Sequence, residues 1–234
     1  MKRLIAYTLL SGILGLGFWV IYPVHNGLSR LALLLGVFGV LASLLVVSWK
    51  RQPWRWISIG VVMILAAPFL LPGRHLDEAS LRDDYIRALR SYDGSTYYWG
   101  GEKASGIDCS GLPRRALRDA LFSQGLKTLN GRAMRMGLEQ WWFDTSASAM
   151  RKGYRGFTAP RNIEGRIESL STEGIQPGDL AVTTSGVHVL VYLGDGEWIQ
   201  ADPSAKKVNI QHGGSEQNAW FTLPVEIHHW SQLQ

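Results

Sequence analysis

The stretch Gly106-Ile107-Asp108-Cys109-Ser110-Gly111-Leu112, shortly after Tyr97-Tyr98-Trp99-Gly100-Gly101, carries the chemistry of this chain. Cys109 is the only cysteine in 234 residues, so it forms no internal disulfide and is either an inert buried thiol or a nucleophile. Asp108 is a good N-cap for a helix whose Leu112, Ala116, Leu117, Ala120 and Leu121 make an apolar stripe, with Pro113 in the tolerant first turn. Cys109 then sits at a helix amino end, where the dipole and unpaired N–H groups predict a lowered thiol pKa.

Upstream, Ser80 with Asp83 reads as a capping box, and Leu81, Tyr85, Ile86 and Leu89 recur at helical spacing until Ser91-Tyr92-Asp93-Gly94 ends the helix. Residues 97 to 106 read as an irregular, glycine-rich loop. Downstream, the turn Gln176-Pro177-Gly178-Asp179 leads into a short strand, Leu180 to Thr183, and then a longer one, Val187 to Leu193. His188, at the start of the longer strand, is the best candidate for the base that returns a proton to a leaving amine. Two-residue alternation puts it on one face with Leu190 and Tyr192, with Val187, Val189, Val191 and Leu193 on the other.

Gly194-Asp195-Gly196 then turns the chain into a strand from Glu197 to Ala201. A two-residue loop at Asp195-Gly196 would set Gln200 opposite Val191, on the wrong face. A three-residue loop sets Gln200 opposite Leu190 and Asp202 opposite His188, so that either polar residue can hold the second imidazole nitrogen. Val225, Ile227 and Trp230 around His228-His229 read as a closing strand. No metal-binding motif or nucleotide-binding glycine loop occurs, so neither a metal nor another cofactor is expected.

These motifs, in this order, resemble the NlpC/P60 cysteine peptidases. The resemblance rests on Tyr97-Tyr98-Trp99-Gly100-Gly101, Asp108-Cys109-Ser110-Gly111-Leu112, Pro177-Gly178-Asp179-Leu180, His188 through Gly194, and Trp198-Ile199-Gln200-Ala201. It implies a papain-like α+β fold in which a helix-start cysteine packs on an antiparallel sheet. It also implies hydrolysis of amide bonds in peptidoglycan stem peptides, commonly the γ-D-glutamyl to diamino-acid bond. By position Cys109 becomes the nucleophile, His188 the base and Gln200 its orienting residue, whereas proximity within the strand pair favours Asp202. Tyr97 matches a tyrosine that helps bound the site, assisting the oxyanion beside the Cys109 N–H.

Departures from the family pattern are Pro113-Arg114-Arg115, where small apolar residues are usual, and Gln200, where histidine is common. The interval from Cys109 to His188 is also long. The excess falls at about 123 to 170, with Trp141, Trp142, Phe143, Tyr154 and Phe157 among Arg132, Arg135, Arg151, Lys152 and Arg155. It reads either as a substrate lid or glycan-binding wall, or as added core with a solvated charged face.

The first 72 residues follow another logic. Leu4 to Tyr22, Leu31 to Trp49 and Trp56 to Pro72 carry no charge, and each approaches the roughly 20 residues needed to cross a hydrocarbon core. Three transmembrane helices follow, as a multi-pass anchor over 1–72 ahead of a catalytic domain over 73–234. A cleaved signal peptide, the competing reading of the first span, fits poorly with two further spans behind it. Lys2 and Arg3 before the first span, with Lys50, Arg51 and Arg55 between the second and third, put those segments inside. The remainder then lies on the extracytoplasmic, or periplasmic, side of the cytoplasmic membrane. The anchor holds six of the 24 Lys and Arg and none of the 19 Asp and Glu, so it carries +6, the outer domain stands at −1, and the chain's net charge is +5. That balance argues against nucleic acid as a partner and leaves membrane and peptidoglycan. An amidase or acyltransferase acting on a lipid-linked envelope substrate, and a non-catalytic wall-binding scaffold, are the other readings.

Overall fold

The computed structural model describes residues 2–24, 26–214 and 218–234. The side chains of Lys2 and Arg3, on which the orientation argument partly rests, lie outside the described residues. Three apolar helices lead the chain: α1 (Lys2–Ile21), α2 (Gly27–Ser48) and α3 (Gln52–Leu70). By length and composition α2 and α3 can cross a membrane, with mean hydropathy 2.6 and 1.5; the apolar part of α1, Tyr7–Ile21, is shorter than that. Pro68 lies inside α3, and Asn26 and Ser29 form a capping box at the start of α2.

Helix α4 (Glu78–Ser91) follows. Its cap is Asp77, which accepts from Ser80 N at 3.2 Å, so the helix begins earlier than the Ser80–Asp83 box predicts. The 97–106 segment is more regular than expected, because β1 (Glu102–Lys103) pairs with β2 (Gly106–Ile107) as a small hairpin. Then come α5 (Gly111–Lys127), α6 (Gly131–Trp142), α7 (Ala147–Arg151) and the strands β3 (Thr158–Arg166), β4 (Leu180–Thr183), β5 (Val189–Gly194), β6 (Glu197–Asp202), β7 (Lys207–His212) and β8 (Pro224–Trp230). The sheet runs β3-β8-β4-β5-β6-β7, antiparallel throughout.

Alternation along β5 sorts its side chains between two cores. Val189, Val191 and Leu193 meet Leu112 and Leu117 of α5 and Leu81 and Tyr85 of α4, whereas Leu190 and Tyr192 join Trp198, Phe221 and Ile227 on the other face. The β5–β6 connection combines both loops considered above. Gly194 pairs with Glu197 around a tight turn, then a bulge shifts the register so that Tyr192 faces Trp198 and Val191 faces Ile199. Continued by one residue, that register sets Leu190 opposite Gln200.

Much of the long insertion is added core, as one of its two readings expects. It supplies α6, which packs on α5, and β3, an edge strand on β8; Met150 and Phe157 enter the main core. Arg151 pairs with Glu226 at 2.5 Å and Arg155 with Glu139 at 3.0 Å, with the Arg155 guanidinium 3.6 Å from the Phe143 ring centroid. Trp142 and Tyr154 stay exposed.

Candidate active site

Helix α5 starts two residues later than the sequence suggests, with Asp108 still supplying the capping oxygen, and this decides the environment of Cys109. Ser110 is the N-cap residue, yet the capping oxygen is Asp108 Oδ1, which accepts from Gly111 N at 2.5 Å and Ser110 Oγ at 3.1 Å. Asp108 Oδ2 accepts from Gly100 N at 2.8 Å, and Asp108 N donates to Gly101 O at 3.0 Å. The carboxylate thus ties the aromatic-glycine loop to the helix start. This contact demands glycine: a Cβ on Gly111 would lie 2.2 Å from Gly101 O.

The expected thiol activation is therefore corrected. The helix end that was to stabilise a thiolate is already capped by a neighbouring carboxylate. Burial of the thiol, with Asp108 beside it, pushes the Cys109 pKa up to about 12. Cys109 Sγ donates to Val187 O at 3.8 Å, so the helix-borne thiol meets the chain where β5 begins.

His188 occupies that beginning, almost wholly buried. Thr183 clamps its backbone: Thr183 Oγ1 accepts from His188 N at 3.0 Å, and Thr183 N donates to His188 O at 3.0 Å. His188 Nε2 lies 2.7 Å from Gln200 Oε1, which assigns the proton to Nε2 and leaves the Nδ1 lone pair available. Burial brings the imidazole pKa down to about 4, against the support of Gln200 and Asp202. At neutral pH both thiol and imidazole are uncharged.

Asp202 does not reach the imidazole in this way. Its Oδ1 accepts from Ser204 N at 2.8 Å and from Trp220 Nε1 at 3.3 Å, and the Trp220 indole stacks on His188 with centroids 3.9 Å apart. Gln200 and Asp202, left as alternatives by the register, thus occupy different places: one touches the imidazole, the other holds the ring that covers it. Tyr97 lies within electrostatic reach of Cys109, Asp108 and Asp202, and burial pushes its phenol up to about 12. Thr183 and Trp220 escaped the sequence reading. Thr183 is distinguished only by its place at the end of a strand, and Trp220 lies 32 residues beyond His188 in a loop with no motif.

An open cavity of about 380 Å³ adjoins the Cys109 segment, lined by Trp99, Gly100, Asp108 and Arg114 and, from the insertion, by Asp144, Ser146, Ala149 and Tyr154. Beneath it lies Glu102, 1 % exposed, with Arg114 at 2.7 Å, Arg118 at 2.8 Å and Arg30 of α2 at 3.2 Å. Burial alone would raise the Glu102 pKa, but Arg114, Arg118 and Arg30 outweigh it and hold it down at about 2. Arg114 also pairs with Asp144. This accounts for one departure from the family pattern, since Arg114 stands where a small residue is usual because it neutralises a buried carboxylate.

A cysteine at a helix start, packed against an antiparallel sheet that carries a histidine held by a side-chain amide, is the arrangement of papain-like folds. The NlpC/P60 family model matches residues 94–222, more than half of the chain, and this protein belongs to the NlpC/P60 family. A curated relative, dipeptidyl-peptidase 6 of Lysinibacillus sphaericus, is 26 % identical over 167 residues, covering 69 % of this chain and 49 % of the relative. The chain therefore spans about half the length of that relative. Among solved structures, NlpC2 from Trichomonas vaginalis is similar at 19 % identity and TM-score 0.42, covering 67 % of this chain and 49 % of its own. The peptidoglycan hydrolase RipB from Mycobacterium tuberculosis is similar at 23 % identity and TM-score 0.38, covering 64 % and 65 %.

Proposed function

We propose that this protein is a membrane-anchored cysteine peptidase that hydrolyses amide bonds in peptidoglycan stem peptides, of the γ-D-glutamyl to diamino-acid type, at the outer face of the cytoplasmic membrane. The observation that carries the reading is the meeting of the Cys109 thiol with the chain at Val187-His188, while Gln200 fixes the tautomer of His188. Family membership, and the peptidase activity named for the relative dipeptidyl-peptidase 6, support it.

In this reading Cys109 Sγ attacks the amide carbonyl as its proton passes to His188 Nδ1, and the oxyanion is held by the Cys109 N–H with Tyr97. Collapse breaks the C–N bond, His188 gives the proton to the leaving amine, and a thioester remains. Water, deprotonated by His188, then cleaves the thioester to a carboxylic acid and restores the thiol. Because both groups start neutral, proton transfer accompanies attack and no standing ion pair is needed.

Anchoring rests on α2 and α3, whose apolar windows are 11 % and 0 % buried, unlike the core helices of a soluble protein. The reading includes α1 as a third crossing. Digestion of purified peptidoglycan by the full chain, with fragments read by mass spectrometry, tests the proposal: new amino termini on the diamino acid are expected, and intact stem peptides would refute it.

A further inference from the structure

The outer ends of the apolar helices are fastened to the same residues that wall the site. At the end of α1 and in the turn to α2, Val24 bridges Gly101, Pro23 O accepts from Glu102 N at 3.2 Å, and Lys103 Nζ donates to Val20 O at 2.9 Å and Tyr22 O at 3.0 Å. Arg30, in the first turn of α2 and wholly buried, reaches Glu102 at 3.2 Å and donates to Trp142 O at 3.3 Å. At the outer end of α3, Gly131 N donates to Pro72 O at 3.1 Å, and Arg135 Nη1 donates to Phe69 O and Leu71 O, each at 3.0 Å.

Helix α6 is thus tied to α3 at its first turn and to α2 at its last residue. Its 12 residues bridge the two outer ends over about 18 Å. The surface it leaves open mixes Arg132, Arg135 and Glu139 with Leu138 and Trp142, and Leu126 and Leu129 precede it, a mixed polar and apolar composition suited to a lipid–water interface. No slack connects the domain to α3. The five residues 73–77 would span about 17 Å fully extended, and they are pinned, since Arg74 N donates to Asn130 Oδ1 at 3.0 Å and Asn130 Nδ2 to Arg74 O at 3.1 Å.

The cavity shares three lining residues with this seam. A Cβ on Gly100 would lie 3.4 Å from Val24 Cγ1, Arg114 lies 2.7 Å from Glu102, and Asp144 lies 3.9 Å from Arg30. Trp99, 81 % exposed, stands on the loop that touches Val24. A site built this way has no reach. Resting on the anchored-peptidase reading, we infer that it works at the bilayer surface, and that its substrate is a stem peptide carried on a lipid-linked precursor rather than on finished wall farther out.

The test places the full chain in nanodiscs of phosphatidylethanolamine and phosphatidylglycerol. It compares a co-reconstituted polyprenyl-linked disaccharide peptide with the same disaccharide peptide freed of its lipid, at equal total concentration. Initial cleavage of the lipid-linked form is expected to be at least about tenfold faster, the advantage of confining site and substrate to one surface. Equal or faster cleavage of the freed form overturns the inference while leaving the peptidase reading standing; cleavage of neither overturns both. The double variant Arg30→Gln, Arg135→Gln loosens both ties. The ratio of the two rates, which cancels any loss of folded protein, should fall severalfold, and an unchanged ratio would show that the seam does not hold the site at the bilayer.

Discussion

The Trp220 indole lies flat on the His188 imidazole, centroids 3.9 Å apart and planes 17° apart, and its Nε1 donates to Asp202 Oδ1 at 3.3 Å. One ring therefore covers the His188–Gln200 hydrogen bond from water and is itself anchored by a carboxylate. Trp220→Ala should lower kcat/KM by about ten- to a hundredfold, because a loosened base misses its near-attack position. The same change hydrates the imidazole, so its pKa should rise from about 4 toward the ordinary 6.5, carrying the acid limb of the pH–rate profile with it. Trp220→Phe keeps a stacking face and should fall between. A rate loss in Trp220→Ala with an unmoved acid limb would reduce Trp220 to a packing residue.

Gln200 and Asp202 should separate by experiment as they do in space. Gln200→Ala removes the partner of His188 Nε2 and should cost about ten- to a hundredfold in kcat. Asp202→Ala acts through Trp220 and should cost less. Combined with Trp220→Phe, its effect should be less than the product of the two, since both remove one hydrogen bond. Greater damage from Asp202→Ala than from Gln200→Ala would reverse the assignment.

The strand pairing and the cysteine-bearing helix were legible because alternation and turn residues are local signals. Leu180–Thr183 stands where the sequence places it, and the sequence frames the two possible partners of His188. The register that puts both on the histidine's face comes from the bulge between Tyr192 and Gly194, and choosing between them needed Trp220, whose indole N–H takes Asp202 and leaves Gln200 to the imidazole. The insertion was less legible, because α6 and β3 bury only part of each surface and their aromatics divide between core and solvent. Arg30 reads as a stray loop charge; only the tertiary fold brings it to Glu102, 72 residues away. Thiol activation was misjudged for a physical reason: helix position alone says nothing about how deeply the thiol is buried, and the Asp108 carboxylate that caps the helix also opposes a second negative charge beside it.

That correction is measurable. With its pKa near 12, Cys109 should react with iodoacetamide at neutral pH more slowly than a free thiol of pKa about 8.5. Its alkylation rate should climb through pH 9 and 10 without a plateau. A plateau below pH 8 would mean that the thiolate forms at rest.

The neutral imidazole also has a stability consequence. The folded pKa of His188 is depressed to about 4, so between pH 6.5 and about 4 the unfolded chain binds the proton and the folded chain does not. The His188 contribution is fully present above pH 6.5 and is lost as pH falls through that window. His188→Gln should flatten the acid-side fall of Tm between pH 6.5 and 4. The same slope in both proteins would assign the acid sensitivity elsewhere.

Glu102 holds together the seam between anchor and site, and its removal should be costly out of proportion to one side chain. Glu102→Gln leaves Arg30, Arg114 and Arg118 gathered around a neutral amide. Arg114 keeps the half-exposed Asp144 and Ser110 O, and Arg30 keeps Asp144 at 3.9 Å. Breaking a buried ion pair from one side typically costs about 3 to 5 kcal/mol, because the surviving charge stays desolvated. The variant should therefore unfold at markedly lower temperature in detergent or nanodiscs. Glu102→Asp, which keeps the charge on a shorter arm, should recover part of the loss. Adding Arg118→Met to Glu102→Gln should also restore stability, since it removes one uncompensated cation. A Glu102→Gln protein as stable as the parent would mean that the arginines find water or other acceptors, and that the cluster contributes little to joining the helices to the domain.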